Sequence, residues 1–193
     1  MFLLIGVGLA FLVALVLGGR PARLGQARFR ASYLILLALI LQILIFSRWW
    51  QGQSGLGAMV APLYVVSMVL LIVAVWLNRR VPGMALLGVG LALNAAVITA
   101  NGGHMPASFQ ALQTAGLLEP GASFETLRVT NSSLITEGTP LWFLGDIFAL
   151  PKPFPLANVF SVGDILIAAG ASWFILAMML RPPIGPKPEP SNL

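Results

Sequence analysis

The side chains best suited to acid–base or ligand chemistry are the single histidine, His104, the aspartates Asp146 and Asp164, and the amides Asn94 and Asn101. A histidine that meets two carboxylates can act as a general base or hold a metal; one that only bonds a backbone carbonyl does neither. Asp164, in Phe160-Ser161-Val162-Gly163-Asp164, can accept a ligand's amine or hydroxyl. Alternatively it closes a capping box with Ser161, at the helix end that favours a carboxylate. Asp146 stands beside Gly145 among apolar residues and needs a donor from Lys152, Arg128, Asn101 or loop amides. Asn94 can bind a ligand or hydrogen-bond Gln42 or Tyr64 across a helix interface. Asn94, Asn101, His104, Asp146 and Asp164 are the expected ligand-binding set. No catalytic residue, metal or cofactor is assigned, and the absence of cysteine removes thiolate chemistry and disulfides.

The elements that must position these residues are apolar. The chain has 193 residues, of which 58% are hydrophobic and 9% charged, with a mean hydropathy of +0.92. An ordinary soluble domain carries roughly 25% charged residues, so the expected class is an all-α integral membrane protein. Helices are required because an open strand at membrane depth leaves its amides unpaired. Five spans are expected: 2–18, 31–46, 58–77, 81–100, with Pro82 in the first turn, and 160–180. The first would give ~25 Å of helix against a ~30 Å hydrocarbon core. It is followed, not preceded, by arginines, the reverse of a cleavable signal peptide.

Charge orients the spans. The net charge is +5 and the pI near 10.8, but the basic residues are dispersed over short loops, which argues against nucleic acid. With the N-terminus outside, all Lys and Arg except Arg48, Arg128 and Lys152 fall in segments 19–30, 78–80 and 181–193, the expected cytoplasmic side. Membrane lipids are the expected partners, the first-loop arginines attracting anionic lipid by ~1 kcal/mol each; a membrane protein partner is a further expectation. Residues 1–180 read as one membrane domain, and 181–193 as a cytoplasmic tail that Pro182, Pro183, Pro186, Pro188 and Pro190 keep from being helical.

The long segment 101–159 is expected outside and ordered, because it carries too many apolar groups to leave in water. Ser108 is expected to start a short helix with Phe109 and Leu112 on one face, ending near Gly116. The run 141–150 is too short to span and is expected to cap the bundle. Polar residues within the spans (Gln42, Tyr64, Asn94, Asp164) all lie in the outer half, and Ser67 is nearer the middle. A conducting path needs polar groups through the whole thickness, so conduction is disfavoured. Asp164 shares a helix face with the small residues Ala168, Ala171 and Ser172 and is expected to point into the bundle.

The strings Asn101-Gly102-Gly103-His104-Met105-Pro106, Leu144-Gly145-Asp146-Ile147 and Phe160-Ser161-Val162-Gly163-Asp164-Ile165, placed late in a five-span chain with basic loops, resemble a bacterial membrane family. That family is the domain of unknown function five-three-one-seven. The resemblance implies a bacterial inner-membrane location and no assigned activity. Asn131-Ser132-Ser133 matches a glycosylation acceptor that has no meaning in a bacterium, and Gly88-Val89-Gly90 reads as helix packing. The functional expectation is a non-enzymatic accessory or binding protein with a polar site at its outer face. The alternatives are an interfacial enzyme using His104 with Asp146 or Asp164, and a small transporter.

Overall fold

The computed structural model describes residues 2–51, 56–118 and 132–181. The expected tail beyond Arg181, Arg128 and Asn131 lie outside the described residues. The protein is mostly helical. Five apolar helices form the body: α1 (Phe2–Val16), α2 (Ser32–Ile45), α4 (Gly57–Leu77), α5 (Met84–Ala100) and α7 (Val162–Met179), with the four-residue α3 (Arg48–Gln51) between α2 and α4. Of these, α4 and α7 are long and apolar enough to cross a membrane; α1, α2 and α5 are apolar but shorter. α5 begins only at Met84, so Pro82 stands in the preceding turn and not, as expected, in the helix's first turn.

The helices pack as neighbours in the order α2, α4, α5, α7, α1. Small residues set the α1–α7 contact: the Ser172 hydroxyl donates to the Gly6 carbonyl (3.3 Å), and a β-carbon placed on Gly6 would lie 3.5 Å from that of Ala168. The expected close approach along Ala168 and Ser172 is therefore present, and α1 is what approaches. Because α1 and α2 sit at opposite ends of this order, the chain between them must cross one end of the bundle. It does so through a 3₁₀ turn, Pro21–Gln26. There the Arg20 amide (3.1 Å) and the Arg23 guanidinium (2.9 Å) donate to the Met179 carbonyl at the end of α7, and Arg23 also reaches the Arg181 carbonyl. The buried Asn78 side chain then ties Arg30 to the end of α4. It accepts from the Arg30 amide (2.8 Å) and donates to the carbonyls of Arg30 (2.9 Å) and Ala74 (2.7 Å). Segments 19–30, 78–80 and Arg181 thus meet at one end of the bundle, the arginine end.

The opposite end carries a cap built from residues 101–118 and 132–160. Here the all-helical expectation is corrected. Strand β1 (Met105–Ala107) pairs in parallel with β2 (Ser132–Leu134), and β3 (Phe148–Leu150) pairs antiparallel with β4 (Asn158–Phe160). Each strand has three residues, and the pairing satisfies backbone groups that a half-buried segment cannot leave bare. The expected helix α6 is Phe109–Thr114: the Ser108 side chain accepts from the Ala111 amide, and Gly116 follows with φ +62°. Ala107, Ala111, Leu112, Ala115 and Val159 form a core inside the cap. A second cluster of Met68, Val97, Ile98 and Met105, with Leu144 against it, joins the cap to α4 and α5. A stack of Phe2, Phe160 and Phe148 rings, with centroids 4.1 and 5.6 Å apart, holds the start of α1 against it.

Candidate functional site

The site begins where α5 meets the start of α7. A β-carbon on Gly90 would lie 2.5 Å from the Gly163 carbonyl oxygen, and one on Gly163 would collide with the Asn94 side-chain oxygen. Only glycine at both positions lets the backbones come this close, and that proximity brings Asn94 to Asp164. The Asn94 amide donates to Asp164 Oδ1 (2.9 Å), while its oxygen accepts from the fully buried Ser161 hydroxyl (3.0 Å). Ser161 and Asp164 also cap α7 reciprocally: Asp164 N–H donates to Ser161 Oγ (3.0 Å), and Ser161 N–H donates to Asp164 Oδ2 (3.2 Å). Asn94 therefore works across the helix interface, as one reading anticipated, but these partners are Asp164 and Ser161. Gln42 instead donates to Ser67 (3.0 Å).

Asp146 comes from the cap. Its amide donates to the Pro106 carbonyl (2.8 Å) and its carbonyl accepts from the Ser108 amide (3.0 Å), so its backbone extends the β1 ladder. The main chain of Asp146 is thus a staple, but its carboxyl makes no hydrogen bond or ion pair with a described residue. Of the expected donors, Asn101 bonds the carbonyls of Val97 (2.7 Å) and Pro140 (2.9 Å), the Lys152 chain lies over Gly116, and Arg128 lies outside the described residues. Burial, and secondarily the charge of Asp164, push the Asp146 carboxyl up to about 7.

Asn94, Asp146 and Asp164 line one cavity of about 470 Å³, together with Tyr64, Ser132, Ser133 and Asn158 on its polar side and Ile98, Met105, Leu112, Leu134 and Val159 among its apolar walls. That volume suits a small organic molecule. Among the described residues, no lysine or arginine lines it. Chemically, it offers a carboxyl that no described side chain bonds, a second carboxylate already held in place, and hydroxyl and amide groups beside an apolar wall. Such a lining accepts hydrogen bonds or a positive charge.

Two members of the expected set are not brought into the cavity. The end of α5 closes in a left-handed turn: Gly102 N–H donates to Thr99 O (3.3 Å) and Gly103 N–H to Ile98 O (2.9 Å), with φ +65° and +91° at the two glycines. A β-carbon on Gly103 would collide with Ala61 of α4. This turn uses Asn101 as a helix cap and leaves His104 exposed. Among the described residues, no group of three His, Asp or Glu side chains could hold a metal. Conversely, Tyr64, Ser132, Ser133 and Asn158 belong to the cavity and were not in the expected site. Tyr64 carried a signal, being a polar residue at matching depth; Ser132 and Ser133, read as a glycosylation string, and Asn158 arrive through strand pairing that leaves no periodic mark.

The fold and cavity define a class: an apolar helical bundle with a capped, acid-lined cavity at one end and arginines at the other. The chain belongs to the family of unknown function DUF5317, whose model matches residues 26–176. An uncharacterized protein of Thermotoga maritima is 28% identical over 169 residues, covering 86% of this chain and 88% of its own length. No solved structure matches the chain.

Proposed function

We propose that the protein is a five-span protein of the bacterial inner membrane, N-terminus outside, that binds a small ligand with an amine or hydroxyl-rich head in the cavity at its outer face. The observation that carries this reading is the Asp146 carboxyl, which no described side chain bonds, set beside Asn94 and Asp164 in a cavity whose described lining holds no lysine or arginine. A primary amine or a polyol supplies the missing donors, and the apolar wall takes the ligand's carbon skeleton. The cavity is non-enzymatic in this reading, a recognition site on a membrane accessory protein.

The membrane placement rests on the surface. Leu9, Leu12, Val13, Leu36, Ile40, Ile43, Val66 and Val69 are all exposed on α1, α2 and α4. Helices that are apolar around their whole circumference and yet exposed need lipid as solvent. The orientation rests on the gathering of arginine-bearing segments at one end, which the positive-inside rule assigns to the cytoplasm.

The chain has no cysteine, so single-cysteine variants report cleanly. Glu137→Cys should react with an impermeant maleimide on intact spheroplasts, and Arg80→Cys only after lysis; the reverse pattern overturns the orientation. For the cavity, ethanolamine and choline serve as probes. One or both should raise the unfolding temperature of the purified full chain in a saturable manner, and Asp146→Asn should abolish the effect. Indifference of the wild-type chain to both probes, or an equal response of the variant, contradicts the ligand reading.

A further inference from the structure

At the arginine end, away from the acid-lined cavity, a groove of about 340 Å³ lies between α4 and α5. One wall is Val75 and Trp76; the other is Ala85, Gly88 and Ala92, whose small side chains leave the space open. Arg79 is the one charged residue in the lining, and its guanidinium stands 4.7 Å from the Trp76 ring centre. Trp76 is 65% exposed, so aromatic and cation together form the groove's mouth. An apolar groove ending in a tryptophan and an arginine matches the two parts of a phospholipid, chain and phosphate.

Among the described residues, the charge around it has no internal complement. Arg20, Arg23, Arg28, Arg30, Arg79, Arg80 and Arg181 gather at this end, whereas the described carboxylates, Glu137, Asp146 and Asp164, belong to the cap or to the start of α7 beneath it. We propose that this groove seats one acyl chain of an anionic phospholipid, whose phosphate is held by Arg79 with Arg80 beside it. A free phosphate has no use for the apolar walls, and a zwitterionic lipid brings a cation back to a surface already rich in them. The site rests on the membrane reading above but is independent of the outer cavity and its ligand.

The test is native mass spectrometry of the full chain, reconstituted with equal amounts of phosphatidylglycerol and phosphatidylcholine of matched chains. The wild-type protein should retain one phosphatidylglycerol in preference to phosphatidylcholine by about tenfold. Gly88→Leu should lose the retained lipid, because a β-carbon at Gly88 already lies 3.0 Å from Val75 Cγ1 and the leucine fills the groove. Arg79→Gln, at an exposed position outside the packed core, should keep a lipid but lose the preference. Equal retention of both lipids by the wild-type chain, or unchanged retention and preference in both variants, overturns the site. A chain that stays dispersed without detergent and retains neither lipid refutes the membrane reading itself.

Discussion

Asn94 holds the site together, and its removal is the sharpest perturbation of it. Asn94→Ala deletes the donor to Asp164 Oδ1 and the acceptor of the Ser161 hydroxyl, a side chain with no exposed surface. Interhelical hydrogen bonds in membrane bundles average about 0.6 and reach about 1.7 kcal/mol. The ionised acceptor and the buried hydroxyl left behind place this one at the upper end. The single substitution is expected to cost about 2 kcal/mol, and the Asn94–Asp164 coupling to be about 1.5 kcal/mol. The assay is a double-mutant cycle with Asn94→Ala, Asp164→Ala and the double variant. Unfolding is followed by tryptophan fluorescence as sodium dodecyl sulfate replaces a mild detergent. Asp164→Ala also breaks the α7 cap, but that loss appears in both arms and cancels. Costs that add to within about 0.5 kcal/mol would show that the two side chains do not act as a pair, and the arrangement of α5 against α7 given above would be wrong.

Other consequences concern packing and pH. Gly163→Ala forces a β-carbon against Asn94 and, at 2.8 Å, against the Gly90 carbonyl, and should destabilise the chain by about 1–3 kcal/mol in the same assay. Stability should fall as pH rises from about 4 to 7: the folded chain keeps a proton on Asp146 up to about 7, the unfolded chain releases it near 3.8, and the state that binds more protons is favoured at low pH. Asp146→Asn should flatten that slope; an unchanged slope would mean that another group causes it. Binding of an amine probe should show the opposite trend and strengthen as pH rises through 7, because the ionised carboxyl is the form that holds a cation; pH-independent binding would remove Asp146 from recognition.

What the sequence made legible is what depends on near neighbours. The five apolar helices follow from hydrophobic runs, the α7 capping box from Ser161 and Asp164 three residues apart, and the start of α6 from Ser108. Depth counting put Asn94 and Asp164 in the same outer half, but depth does not give the direction a side chain faces. The pairing needed the glycines at 90 and 163, whose effect is visible only when the two backbones are seen together. The strands were illegible for a different reason: three-residue runs have no period, and β1 meets β2 from a distant part of the chain. Asp146 enters the cavity through that same non-local ladder, as do Ser132 and Ser133, while Asn158 comes from the separate β3–β4 pair. Asn101 and His104 follow Asn94 closely in sequence, but α5 ends at Ala100, and the turn at Gly102 and Gly103 carries the chain off the face that Asn94 occupies.

The Asp146 carboxyl is the centre of this account, and it can be observed directly. Asp146 and Asp164 are the only aspartates in the chain, so aspartate labelled with carbon-13 at the side-chain carboxyl gives two resonances, assigned with Asp164→Asn. Titrated without ligand, the Asp146 signal should move with a midpoint near 7, shift lower when Asp164→Asn removes the neighbouring charge, and shift lower again when a bound amine supplies a positive one. A midpoint near 3.8, insensitive to both changes, would mean that the carboxyl is open to water or already paired, and that the cavity is not the recognition site described here.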